Sequence, residues 1–250
     1  MNGNKAVAFL FLMAGLMACS TENAPYIIEK AIHTHGVNQL KEAKLSFAFR
    51  EYHYEMHRLG GRYRYSRWRK DNEVMVQDVL KNDGSFQRYV QGKPMALSDS
   101  LQGVFSEAVN SVFYFMQLPL LLEDQAVMKE YLGTDVVEDE PYYRIKITFR
   151  EAGGGEDFQD EYRYWIHQEN YTVDYLAYNY QTSGGGTRFR KAIQRRNIKD
   201  VWFQDYENYK PLEKFVSLDS LPILFANGKL TRVSLIENRN IQWNRIEAIP

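Results

Sequence analysis

Residues Asp99 to Glu123 read DSLQGVFSEAVNSVFYFMQLPLLLE, and the spacing of their apolar side chains decides the fold class. Leu101, Val104, Phe105, Ala108, Val109, Val112, Phe113 and Met116 recur at steps of three and four, which collects them on one stripe of a helix. Ser98 or Asp99 is placed to cap the first turn, and Pro119 to stop the helix, because the residue before a proline avoids α-helical geometry. Nearly everything downstream alternates with the period of two that marks strands. The expected class is therefore α+β: an antiparallel sheet curling over this central apolar helix. A short N-terminal helix is expected from Pro25 to His35, with Gly36 as its terminator.

Upstream of the central helix, Lys44 to Met56 reads as one strand whose apolar set changes phase. Leu45, Phe47 and Phe49 give way to Tyr52, Tyr54 and Met56, which predicts a bulge near Arg50 or Glu51. Turns at Leu59-Gly60-Gly61 and Asn82-Asp83-Gly84 separate strands over Arg62 to Lys70, Glu73 to Asn82 and Ser85 to Gln91. Downstream, strands are expected over Met128 to Tyr131, Asp135 to Glu138, Tyr142 to Glu151, Phe158 to His167, Thr172 to Gln181, Thr187 to Gln194 and Val201 to Tyr206. Gly153-Gly154-Gly155 and Gly184-Gly185-Gly186 punctuate the hairpins between them. Phe215 to Leu218 and Arg232 to Glu237 have strand character, and Leu221 to Ala226 that of a helical turn.

Lys5 followed by the apolar run Ala6 to Ala18 has the form of an export signal and is too short to span a bilayer comfortably. The run ends in Leu16-Met17-Ala18-Cys19, which resembles the lipobox of bacterial lipoproteins. That resemblance implies residues 1–18 as a signal peptide, 19–24 as a lipidated N-terminus and tether beginning at Cys19, and 25–250 as a single domain. Cys19 is the only cysteine, so no disulfide forms within the monomer. Ser20, where the best-known sorting rule places Asp to retain lipoproteins at the inner membrane, favours the outer membrane, with the facing side open. The formal net charge of −1 lacks the basic footprint of a nucleic-acid binder. Eighteen Tyr, 14 Phe and 4 Trp, many alternating with charges, suit pleated surfaces that are half buried and half wet.

Lipobox, short N-terminal helix, aromatic strands and an apolar helix interrupting the meander together resemble the LolA superfamily of lipoprotein carriers and their LppX-like relatives. The resemblance implies a strongly curved incomplete barrel with helices on its concave side and a hydrophobic cavity inside. Within that superfamily, Val112-Phe113-Tyr114-Phe115-Met116-Gln117-Leu118-Pro119-Leu120-Leu121-Leu122, with Ile32-His33-Thr34-His35-Gly36 upstream, is similar to an uncharacterised family of Gram-negative outer-membrane lipoproteins. The likeness is one of layout over most of the mature chain. It brings no catalytic motif and transfers no functional residue by position. LolA itself is a soluble carrier without an anchor, so a tethered relative need not shuttle lipoproteins.

The candidate ligand-lining residues are Phe105, Val109, Val112, Phe113 and Met116, which either border a lipid-sized cavity or simply fill a core. A weaker candidate for a metal is His53, Glu55 and His57, with Glu51 before them on one side of a strand. Three groups two residues apart spread over roughly 13 Å of extended chain. They diverge, and a wet strand face is the plainer reading unless His33 or His35 folds back. His33 and His35 lie where a protonated imidazole meets the negative end of a helix dipole, and read as structural or as a polar contact at a cavity mouth. Asn38 to Lys41, Arg62-Tyr63-Arg64-Tyr65, Arg67-Trp68-Arg69 and Arg195-Arg196 suit anionic polymers or lipid headgroups, and equally a solvated strand face. No G-x-S-x-G elbow, Walker loop, Rossmann fingerprint, C-x-x-C pair or H-E-x-x-H occurs.

These readings lead to a non-enzymatic, lipid-anchored envelope lipoprotein, without a cofactor, that holds a lipid, acyl chain or similar hydrophobic molecule between sheet and helix. Two others stay open. One is a structural lipoprotein docking an envelope partner through Tyr/Arg-rich strand faces; the other is a metal-dependent hydrolase built on His53, Glu55 and His57.

Overall fold

The phase change at residue 50 turns out to be a hairpin. In the computed structural model, which describes residues 23–150 and 159–249 with the side chain of 183 excepted, β1 (Glu42–Phe49) and β2 (Tyr52–Leu59) pair antiparallel. Phe49 lies opposite Tyr52, Phe47 opposite Tyr54 and Leu45 opposite Met56. Directly opposed residues share a face, so across a two-residue loop the odd positions of one strand match the even positions of the next. Arg50 turns the corner at φ 53°, with no glycine or Asn-Gly to mark it, which is why the stretch reads as one bulged strand. Residues 1–22, with the leader and Cys19, and residues 151–158, with the first triple glycine, lie outside the described residues.

The meander continues through β3 (Arg62–Asp71), β4 (Val74–Lys81), β5 (Phe86–Val90) and the short β6 (Lys93–Met95). After the central helix it resumes as β7 (Val127–Val137), β8 (Glu140–Phe149), β9 (Glu161–His167), β10 (Val173–Tyr180), β11 (Gly186–Ile198), β12 (Val201–Lys210) and β13 (Thr231–Ile236). A last strand, β14 (Asn238–Arg245), crosses back to pair with β1. Among the described residues these strands make two seven-stranded antiparallel sheets, in the orders β14-β1-β2-β3-β4-β5-β6 and β13-β12-β11-β10-β9-β8-β7. The chain passes from one to the other at Glu237, where the Asn238 N–H donates to the buried Asp205 carboxylate at 2.9 Å. Among the described residues the sheets do not close into a barrel.

Three further expected strands are corrected. Met128 to Tyr131 and Asp135 to Val137 are parts of the single strand β7, with Glu138 in the turn that follows it; the register of β7 slips between Tyr131 and Thr134, with Gly133 at φ 92°. Phe215 to Leu218 is not a strand. It belongs to an excursion in which a single helical turn at Leu218–Ser220 leads into α3 (Leu221–Ala226), laying Leu218 and Leu221 over Trp165, Tyr175 and Phe189 on the outer face of the second sheet.

The N-terminal helix α1 (Ala24–His35) is specified at both ends. Asn23 Oδ1 accepts the Tyr26 N–H at 3.0 Å, Pro25 sits in the first turn, and Gly36 leaves the helix at φ 66°. A Cβ at Gly36 would lie 1.9 Å from the Asp200 carbonyl oxygen, so the loop joining β11 and β12 closes on this residue because it has none. Ile27, Ile28, Ala31 and Ile32 are fully buried.

Helix α2 (Asp99–Met116) lies between the sheets. Phe113, wholly buried, stacks on Tyr65 at 4.3 Å and meets Phe47 and Tyr54 edge-on, all on the first sheet. Its neighbours face the second sheet: the Tyr114 hydroxyl is 3.2 Å from that of Tyr164, and the Phe115 ring is 5.6 Å from Tyr178. The predicted stripe is used only in its second half, for Leu101 and Val104 are 46% and 55% exposed. Gln117 locks the far end. Its Nε2 donates to the Tyr65 hydroxyl and the Phe113 carbonyl, both at 2.9 Å, while its Oε1 accepts from Arg58 at 3.0 Å. Among the described residues, no helix is long and apolar enough to cross a membrane.

Candidate ligand-binding cleft

Between α2 and the concave faces of both sheets runs a cleft of about 450 Å³, within the range of pockets that hold small molecules. Glu107, Ala108, Ser111, Val112, Phe115 and Met116 form its helical wall. Phe49, Arg50, Glu51, Tyr52, Tyr54 and Arg67 come from the first sheet; Tyr162, Tyr178, Arg188, Arg190 and Tyr206 from the second. Asn208, Ser234 and Ile236 of the second sheet and Asn238 of β14 complete the lining. Of the five residues expected to line a cavity, Val112 and Met116 border the cleft. Val109 and Phe113 are core, and Phe105 lies half-buried under the Arg88 guanidinium, 3.5 Å from its ring centre.

The lining is amphipathic where an apolar one was expected. Arginines lie flat over aromatic rings: Arg67 over Tyr52 at 4.6 Å, Arg190 over Phe115 at 3.7 Å and Arg188 over Tyr180 at 5.1 Å. Arg67 also pairs with Asp78, which Arg88 grips from the other side. Burial raises the Tyr54 and Tyr206 hydroxyls above their ordinary range, Arg67 opposing the shift at Tyr54, so both stay protonated. The cleft's described lining contains no histidine, cysteine or lysine.

Arg188 and Arg190 were missed because the pattern Arg188-Phe189-Arg190 reads as arginines out and phenylalanine in. In fact both sides of this strand are covered. Phe189 packs beneath α3, while Arg190, opposite Leu176 and Asn208, faces the cleft. The Arg62 to Arg69 run behaves similarly: Tyr63 and Tyr65 stack inward, and Arg67 is buried on Asp78. Arg195 is engaged by Asp174 and Arg196 by Asp205, the latter at 2.6 Å. Lys41 pairs with Glu123 at 2.7 Å.

His53, Glu55 and His57 do share one side of β2, the side away from Tyr54 and Met56, but they do not converge. His53 stacks on Trp68, while Glu55 spends one oxygen on His57 Nε2 at 2.9 Å and the other on Lys44 Nζ at 2.8 Å. An ammonium already holds the position a cation would need. Among the described residues, no three His, Cys, Asp or Glu side chains gather as a metal-binding set.

His33 is exposed and His35 is buried among apolar side chains. The Val173 N–H donates to His35 Nε2 at 3.1 Å, tying the end of α1 to β10. Burial, reinforced by the positive charge of Arg195, pushes the imidazole down to about 4 from its ordinary 6.5. This overturns the expectation of a protonated ring at the helix end. The folded protein holds His35 neutral while the unfolded chain takes up its proton, so stability present above about pH 6.5 is lost as pH falls toward 4. A loss of roughly 2–3 kcal/mol from this residue is expected between pH 7 and pH 4. Denaturant midpoints across that range should show it, and His35→Gln, which keeps an acceptor but does not titrate, should flatten it.

Three solved structures similar to the chain are a LolA superfamily protein from Nitrosomonas europaea, a DUF1329 family protein from Desulfovibrio piger and an outer-membrane lipoprotein-sorting protein domain from Vibrio parahaemolyticus. The first aligns over 92% of this chain and 96% of its own at 13% identity, with a TM-score of 0.51. The second covers 90% and 94% at 8% identity and a TM-score of 0.43, the third 74% and 86% at 8% and 0.41. The fold is that of the LolA superfamily. No curated protein matches the sequence. The model of a family of unknown function, DUF6503, matches residues 5–238, and the chain belongs to that family.

Proposed function

We infer that this chain is a non-enzymatic envelope lipoprotein that holds a hydrophobic ligand, a lipid or an acyl chain, in the cleft beside α2. In this reading residues 1–18 direct export, Cys19 carries the lipid, and 25–250 form one binding domain at the outer membrane. The helix cap at Asn23 follows Cys19 so closely that the tether reaches no more than about 17 Å even when extended. The domain would then stand against the headgroups, where a membrane-derived ligand is within reach.

The observation that carries this reading is the cleft, because Val112, Met116, Phe115, Phe49 and Ile236 offer hydrocarbon surface that a ligand would cover. Each Å² so buried contributes about 25 cal/mol before ordering costs are subtracted. Lipid extraction of the purified protein followed by mass spectrometry is expected to recover a noncovalently bound amphiphile. Val112→Trp, which fills the helical wall of the cleft, is expected to lower uptake of a fluorescent fatty acid by roughly tenfold or more with the fold retained. Repeated recovery with nothing bound, together with no uptake of the probe, rejects the proposal.

A further inference from the structure

Arg190, from the second sheet, is the group in the cleft lining that the hydrophobic reading leaves unexplained. Arg190 is only 8% exposed, yet it forms no ion pair among the described residues. Its polar contact is a donation from Nη2 to the Tyr178 hydroxyl at 2.7 Å, its guanidinium lies over Phe115 and Tyr178, and its Nε has no acceptor. A hydroxyl and two ring faces do not neutralise a buried cation, and burying one without a counter-charge is costly. The other buried arginine of the cleft lining is not left this way: Arg67 shares Asp78 with the half-buried Arg88.

Among the described residues, none of the carboxylates bordering the cleft, Glu51, Glu107 and Asp160, forms an ion pair with Arg190: Glu51 lies 3.7 Å from Arg69, and Glu107 accepts the Thr182 hydroxyl at 2.9 Å. Arg188, one alternate position along β11, borders the same cleft and donates to its neighbour's carbonyl. Asn208, directly opposite Arg190 on β12, gives its Nδ2 to Ser234 and keeps its Oδ1 buried without a donor. An unpaired cation and an unpaired amide oxygen therefore stand side by side, with Phe115 and Ile236 bordering the same cleft.

We propose that the cleft selects an amphiphile with an anionic head, a carboxylate or a phosphate, which accepts from Arg190 while its chain lies along Val112, Phe115 and Met116. The proposal rests on the hydrophobic-ligand reading and adds the chemistry of the head to it. Guanidinium matches either anion through paired N–H donors, and Asn208 Oδ1 would take a hydroxyl or acid proton beside the charge.

Equilibrium binding of hexadecanoate, hexadecyl phosphate and hexadecanol to the purified protein at neutral pH tests it, since the chains are alike and only the heads differ. At least one anion is expected to bind roughly 10- to 100-fold more tightly than the alcohol, and which anion wins separates a fatty acid from a phospholipid-like ligand. Arg190→Met is expected to erase that preference while leaving alcohol binding intact, and Arg190→Lys to keep part of it. Equal binding of all three chains to the wild-type protein overturns the anionic head and leaves the hydrophobic cleft standing. Binding of none overturns both. Should Arg190→Met fail to fold, the wild-type comparison and the Lys variant still decide. A folded Met variant that keeps the preference shows the arginine to be structural and the proposal wrong.

Discussion

Phe113→Ala is expected to destabilise the protein by about 3–5 kcal/mol, measured as a lowered denaturant midpoint at unchanged slope. Phe113 is fully buried and is the point at which α2 rests on the first sheet, with Tyr65 stacked on one face and Phe47 and Tyr54 edge-on. The cost of truncation depends on how far the surroundings can collapse into the space left. Here they are held. The Tyr65 hydroxyl takes a hydrogen bond from Gln117, which is itself anchored by Arg58, and the Phe47 and Tyr54 rings are stacked on each other at 5.1 Å across the β1–β2 hairpin. Phe113→Leu, which keeps most of the volume, should cost about 1–1.5 kcal/mol. A loss below about 1 kcal/mol for the alanine variant would mean that the helix does not bear on the sheet as described.

What the sequence disclosed about this arrangement follows from where its signals are local. The stripe from Phe105 to Met116 announces a helix because period 3.6 is written in one short stretch, and Gly36 and Asn23 announce the ends of α1 by their own backbone chemistry. The hairpin at Arg50 was misread because its turn carries no turn residue. Strand β14 went unseen for a related reason. Its register slips opposite Ser46 and Ala48, and Asn240 sits at φ 54°, so the inward residues Asn238, Ile241 and Trp243 do not keep a period of two.

The cleft was legible only in part. Periodicity placed Val112 and Met116 on the correct helix face but could not separate the wall of a cleft from a filled core, since Val109 and Phe113 share the stripe and face protein. Its charged members were invisible for a physical reason. Reading inward from outward on a strand assumes that charges face water, and Arg67 and Arg190 break that assumption by stacking on rings inside the curve. His35 was misjudged in the same way. Its position in sequence suggested a dipole contact, while its actual partner, Val173, lies 138 residues away.

The second large effect is expected at Asp78, the carboxylate at the centre of a buried row across three strands. Arg67, Asp78 and Arg88 are direct cross-strand neighbours, and the 1%-exposed carboxylate accepts from Arg67 Nε at 3.0 Å, Arg88 Nε at 2.7 Å and Arg88 Nη2 at 2.9 Å. Asp78→Asn preserves shape and removes the only counter-charge that Arg67 and Arg88 have among the described residues, leaving two guanidinium groups side by side in the protein. A loss of about 3–5 kcal/mol is expected. Replacing the whole row, Arg67→Met with Asp78→Leu and Arg88→Met, should restore most of that stability or exceed the wild type, because no charge then needs desolvation. The strongly non-additive result is the test of the row as a unit. The triple variant also separates stability from position. Arg88 lies over Phe105 and is one of the contacts that hold the first half of α2, whose Leu101 and Val104 face water. Backbone amides of residues 101–108 are therefore expected to exchange hydrogen faster in both variants, even where the triple variant resists denaturant as well as the wild type. Unchanged exchange there would show that the Arg88 contact does not hold this half of α2.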